Sequence, residues 1–143
     1  MATIQELQQQ SDDAFNAHDR AACEALCTTD AVLTAPGDMT FNGRQEVCDF
    51  LQSWWEAFPD AHTTVREVLY SGDSYVEEGT FAGTHDGVFH TPMGDIPPTH
   101  RPVTGEYVSI VKRRGDAVAS QYLIFDRLQL LEQLGLVPAP ATA

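Results

Sequence analysis

The sequence predicts an α+β fold: helical patterns come first, a run of long β-branched strands follows, and a short helix closes the chain. Two observations carry that reading. Apolar residues repeat at helical spacing up to Phe58, then at alternate positions from Ala61 onward. No internal repeat, linker or composition break separates the two halves. The 143 residues suit one domain with its own core, spanning 1–143 with residues 1–2 and 138–143 expected to fray.

Each element has a local reason. Thr3-Ile4-Gln5-Glu6 is a capping box, and Ile4, Leu7, Ala14, Phe15 and His18 then fall on one helix face. Asp19-Arg20 breaks that pattern; a short helix over 21–27 and a brief strand over 31–34 follow. Pro36-Gly37-Asp38 is a turn. A third helix runs from about Arg44 to Phe58, with Val47, Leu51, Trp54 and Phe58 as its apolar stripe and Trp55 off it, toward a pocket rim or an interface. Strands are predicted over 63–70, 74–85, 103–113 and 117–125, with a long Pro-rich loop over 86–102. Arg114-Gly115-Asp116 is a hairpin turn, and the last helix runs from Asp126 to Gly135, a good terminating glycine. A strongly bent antiparallel sheet with helices across its concave face leaves a cavity where the two fail to close.

The formal net charge is −13, from 21 acidic and 8 basic residues. That field repels phosphate, so nucleic acid and anionic membrane surfaces are excluded as partners. Cys23, Cys27 and Cys48 show no disulfide or zinc-finger spacing and read as buried thiols in a cytoplasmic protein. His18, His62, His85, His90 and His100 show no metal-ligand spacing, so no metal site is expected. Residues 1–10 lack the apolar run of a secretion signal, and no stretch is long and apolar enough to span a bilayer.

The second half carries a resemblance. Gly83-Thr84-His85-Asp86-Gly87, Pro97-Pro98-Thr99, Gly105 before an apolar strand, Phe125-Asp126 and Gln133-Leu134-Gly135 follow one another in order. The series resembles the SnoaL-like polyketide cyclases, or ester cyclases, of the nuclear-transport-factor and ketosteroid-isomerase superfamily, over about residues 3 to 137. The resemblance implies a cone-shaped α+β barrel with one apolar pocket and a cofactor-free enzyme that closes a ring by an intramolecular aldol step. It implies a homodimer too, with Val108, Ile110, Val118 and Ile124 forming an apolar outer face. The family's acid/base aspartate falls at Leu123, and a family histidine falls at Ser109, neither of which moves a proton near neutral pH. Another group must therefore do this work, or the chain binds without catalysing, or it assists a hydroxylation.

Glu77 and Glu78 lie mid-strand, and alternation sends one of them toward the cavity without saying which. A carboxylate there would be a base near neutral pH; on the other face it would be solvated or paired with Arg66 or Lys112. Glu78 and His85 are the candidate acid/base residues, with Tyr107 as a polarising donor. His85 could instead fix the following turn, and Tyr107 could be a core aromatic with its hydroxyl at the rim. Phe15, Trp55, Phe81, Ser109, Gln121, Leu123, Phe125 and Asp126 are the candidate substrate-binding residues, Asp126 doubling as a helix cap with Gln129 three residues on. The expected substrate is a bulky, mostly apolar, carbonyl-bearing compound.

Overall fold

The computed structural model describes residues 1–138. Its elements are α1 (Ile4–Asn16), α2 (Arg20–Ala25), β1 (Cys27–Ala35), β2 (Met39–Asn42), α3 (Arg44–Ala57), β3 (His62–Ser71), β4 (Ser74–Thr84), β5 (Phe89–Thr91), β6 (Gly94–Ile96), β7 (Pro102–Arg114), β8 (Ala117–Phe125) and α4 (Arg127–Gln133). Six strands form one curved sheet in the order β2-β1-β8-β7-β4-β3. Among the described residues, only β1 and β8 pair in parallel.

α1 and α4 start at the caps their sequence offers, whereas the second helix, expected over 21–27, ends at Ala25 and is capped by Asp19. Thr3 caps α1 by accepting the Glu6 N–H at 3.0 Å, and Asp126 caps α4 by accepting the Gln129 N–H at 2.9 Å. Gly135 ends the last helix with φ +76°, a conformation in which a Cβ is strained. The stripe on α3 feeds the core. Trp54 packs against Phe50, Phe58, Phe81, Phe89 and Phe125 with ring centroids 4.9–6.0 Å apart. Such ring pairs add about 0.5–1.5 kcal/mol each beyond the area they bury.

Some elements differ from expectation. β1 begins at Cys27, because Thr28-Thr29-Asp30 extends although it faces outward. β2 was not expected although Met39-Thr40-Phe41-Asn42 alternates in burial; Gly37 and Asp38, both at positive φ, turn the chain so that it pairs antiparallel with β1. The 86–102 segment holds a small hairpin, β5–β6, fastened at its base where His85 N–H donates to Arg101 O and His100 N–H to His85 O. Ala2, expected to fray, is tied down: its N–H donates to Asp116 Oδ1 and its carbonyl accepts from Arg113 Nη1. Most of the C-terminal tail, expected to fray from Pro138, lies outside the described residues.

Val118 corrects the expected outer face. A bulge at Ala119 shifts the β7–β8 register, so Val118 pairs with Arg113 and turns inward, where it is 9% exposed. Val108, Ile110 and Ile124 do lie on the convex side, joined by Leu69, Val76 and Tyr122. Among the described residues, no helix is long and apolar enough to cross a membrane.

Candidate active site

Alternation along β4 points Tyr75, Glu77 and Phe81 to the concave side. On β7 the same face carries Tyr107 and Ser109, paired opposite Gly79 and Glu77 respectively. Gln121, Leu123 and Phe125 complete it on β8. Helices α1 and α3 close over this face with Ser11, Asp12, Phe15, Phe50, Leu51 and Trp54. Between them lies a largely apolar cavity of about 180 Å³.

A polar cluster occupies one wall. Glu77 is 4% exposed. Its Oε2 accepts the Tyr107 hydroxyl at 3.0 Å, and its Oε1 accepts Gln8 Nε2 at 3.1 Å. The same Gln8 amide donates to Asp12 Oδ2, while Gln8 Oε1 accepts the Tyr70 hydroxyl at 2.7 Å. Gln8 thus stitches α1 to β4, with both ends of its amide used. Burial, then a hydrogen bond with Glu77 and the charge on that residue, push the Asp12 carboxyl up to about 9. Asp12 therefore holds its proton at neutral pH, hydrogen-bonded to Glu77. Burial, followed by the charges of Glu77 and Asp12, raises the Tyr107 phenol above its ordinary range, so it donates and does not ionise. Gly79 lets Tyr107 approach: a Cβ there would sit 2.9 Å from the Tyr107 hydroxyl and 2.4 Å from Thr64 O.

Phe15, Phe81, Tyr107, Ser109, Gln121, Leu123, Phe125 and Asp126 all line the cavity. Gln121 Nε2 donates to Ser109 Oγ at 3.2 Å. Asp126 lines the cavity while capping α4, so its two sequence readings coexist. Trp55 lies behind the wall and not on it, packed against Phe15 and stacked on His18 at 5.5 Å.

Glu78 and His85 do not reach the cavity. Glu78 points to the convex side, where its Oε1 accepts Arg66 Nε at 3.2 Å. Its neighbour Glu77 is the one that faces in, because β4 alternates and Glu77 pairs with inward-facing Ser109. His85 is fully buried, but beside Phe58 and Phe89 at the base of the β5–β6 hairpin. The Thr99 N–H donates to its Nδ1 at 3.2 Å, which leaves the ring proton on Nε2. Burial lowers the pKa of this ring, so it stays neutral and fixes the turn. His90 and His100 are exposed, each beside an aspartate, Asp95 and Asp86.

Asp12 and Gln8 were missed. The signal was present: Gln8, Asp12 and Phe15 stand at i, i+4 and i+7, a shared helix face, so two polar residues fall in line with a pocket aromatic. The thiols are buried and free. Burial pushes Cys23 up to about 12, and a hydrogen bond with Cys48 together with burial raises Cys27 further.

The family model for SnoaL-like polyketide cyclases matches residues 5–134. The chain belongs to the SnoaL-like polyketide cyclase family. Among solved structures, a proposed SnoaL-like polyketide cyclase from Jannaschia sp. CCS1 is 20% identical, with 94% of this chain and 93% of that one covered at a TM-score of 0.83. IdmH, a proposed polyketide cyclase from Streptomyces antibioticus, is 25% identical over 94% and 99% of the two chains, TM-score 0.77. AclR, a proposed hydroxylase from Streptomyces galilaeus, is 20% identical over 96% and 88%, TM-score 0.80. None of the curated proteins compared matches the chain. Membership supports a cyclase-type function for this SnoaL-like chain.

Proposed function

We propose that this SnoaL-like chain is a cofactor-independent enzyme that cyclises or isomerises an apolar carbonyl compound by proton transfer, with Glu77 as the base. The observation that carries the reading is the Glu77 carboxylate, held by Tyr107 and Gln8 beside the protonated Asp12 on the wall of an apolar cavity. Glu77 takes a proton from a carbon next to a carbonyl. The C–H electron pair moves into the carbonyl, and the oxygen gains negative charge. The Tyr107 hydroxyl and the Asp12 carboxyl are the donors able to meet that oxygen. In a cyclisation the enolate carbon then bonds to a second carbonyl carbon, whose π pair moves onto its oxygen, and the proton held by Glu77 returns to that oxygen. Water excluded by Phe15, Trp54, Phe81 and Phe125 strengthens each of these contacts. Leu123 and Ser109, at the positions of the family's aspartate and histidine, shape the wall and move no proton.

A cavity wall without ionisable groups would favour a protein that only binds; Asp12 and Glu77 on the wall favour catalysis. The likeness to AclR keeps assistance to a hydroxylation as a second reading. The convex apolar patch of Val76, Ile110, Tyr122 and Ile124 supports a homodimer, and the free thiols support a cytoplasmic setting.

The test needs no natural substrate. β-Tetralone in deuterated buffer exchanges its α-protons, and NMR follows the rate. The protein should accelerate exchange, and Glu77→Gln should remove the acceleration. Exchange at the buffer rate with wild-type protein, or unchanged exchange with the variant, would overturn the proposal.

A further inference from the structure

The groups on the cavity wall that can carry charge near neutral pH are acidic. Asp12, Glu77 and Asp126 line it, the Glu106 side chain being turned to Arg66 on the convex face, and among the described residues no Lys, Arg or His lines it. Four of the seven arginines are held in ion pairs elsewhere: Arg20 with Glu24 and Asp49, Arg66 with Glu78 and Glu106, Arg113 with Asp73, Arg114 with Asp30; Arg44 donates to the Cys27 carbonyl. A ligand carboxylate or phosphate would meet no counter-charge and would sit beside Glu77 in a poorly solvated space. A cation meets the opposite situation. Its charge would face Glu77, and the rings of Phe15, Trp54, Phe81 and Phe125 line the rest of the hollow. The net charge of −13 draws cations toward the surface as well.

We infer that the compound bound in this cavity carries a basic amine, with its ammonium seated against Glu77 and Asp12 and its ring system among Phe15, Trp54, Phe81 and Phe125. The inference rests on the proposed use of this cavity as the substrate site and adds the charge of the substrate to it. Binding has a proton consequence. The titratable groups facing the amine are Asp12 from α1, Tyr75 and Glu77 from β4 and Tyr107 from β7. Of these, Asp12 is the acid whose proton an ammonium would displace, so uptake of the amine at neutral pH releases a proton.

Calorimetry with three matched probes tests this: naphthylmethylamine, naphthylmethanol and naphthoate. The amine should bind at least about tenfold tighter than the alcohol, and the acid weakest of the three. The preference should survive high salt, which screens the overall field more than a buried carboxylate, and should shrink in Glu77→Gln. Titration of the amine in two buffers of different ionisation enthalpy should show proton release, lost in Asp12→Asn. Both salt and buffer measurements use wild-type protein, so they hold if a variant fails to fold. Alcohol binding as tightly as amine, a preference abolished by salt, or amine binding without proton release would each overturn the amine inference and leave the cavity reading standing. Binding of none of the three would overturn both.

Discussion

Glu77 and Glu78 are consecutive on β4 and chemically alike, yet they live in different solvents. Glu77 is 4% exposed and hydrogen-bonded to Tyr107, Gln8 and the protonated Asp12. Glu78 lies on the convex face and meets the half-exposed Arg66 guanidinium. On one side low dielectric and a second carboxyl make a reactive pair; on the other, water and salt leave an ion pair worth little. One step along a strand decides which carboxylate does chemistry, because alternation sends neighbours to opposite faces of the sheet.

The sharpest way to break the comparison is to neutralise each in turn. Glu77→Gln keeps shape and hydrogen-bonding capacity but removes the base. Ketone α-proton exchange should fall by roughly 10²–10⁴-fold, the usual worth of a positioned acid or base. Glu78→Gln should leave exchange unchanged. Equal losses in the two variants would erase the distinction.

Tyr107→Phe comes next. The hydroxyl holds Glu77 in place and is a donor for the developing enolate. Its loss removes a hydrogen bond to a charged group, so exchange should drop roughly tenfold while the ring still fills its place. An unchanged rate would mean that Tyr107 only packs.

How much of this was legible in the sequence depends on what each feature needs. The long strands announced themselves, and β8 begins and ends where composition and turns put it, at Ala117 and Phe125. The inward aim of Ser109 and Leu123 followed from the family resemblance, and both line the cavity. The choice between Glu77 and Glu78 did not follow, because the β4–β7 register is set across the 86–102 segment, whose length fixes no register by itself. Asp12 was hidden for another reason: a carboxyl on a helix reads as a solvated face until a strand from far along the chain brings Glu77 against it. Val118 was misplaced because a bulge changes the phase of alternation without any mark in composition.

Asp12 gives a pH signature. Its carboxyl titrates at about 9 in the fold against 3.8 when unperturbed. Between those values the folded chain binds a proton that the unfolded chain has lost, so this group's contribution to stability is complete below about pH 4 and is lost as pH rises through about 9. Asp12→Asn should flatten that slope. The variant should melt several degrees higher than wild type at about pH 8 and show little difference near pH 4. Parallel pH profiles would place Asp12 in water.

The smallest effect belongs to the convex face. Arg66 reaches both Glu78, at 3.2 Å, and Glu106, at 3.0 Å, and all three side chains are open to solvent. Exposed pairs of this kind lose in side-chain order and screening most of what they gain in attraction. Glu78→Gln should therefore move the melting midpoint by less than about 2 °C, and added salt should remove even that. A larger, salt-resistant loss would mean that the convex face is covered in solution, as it is in a dimer. Since Ile124 and Val108 lie in register with Glu78 on this face, such a loss should be accompanied by a change in sedimentation.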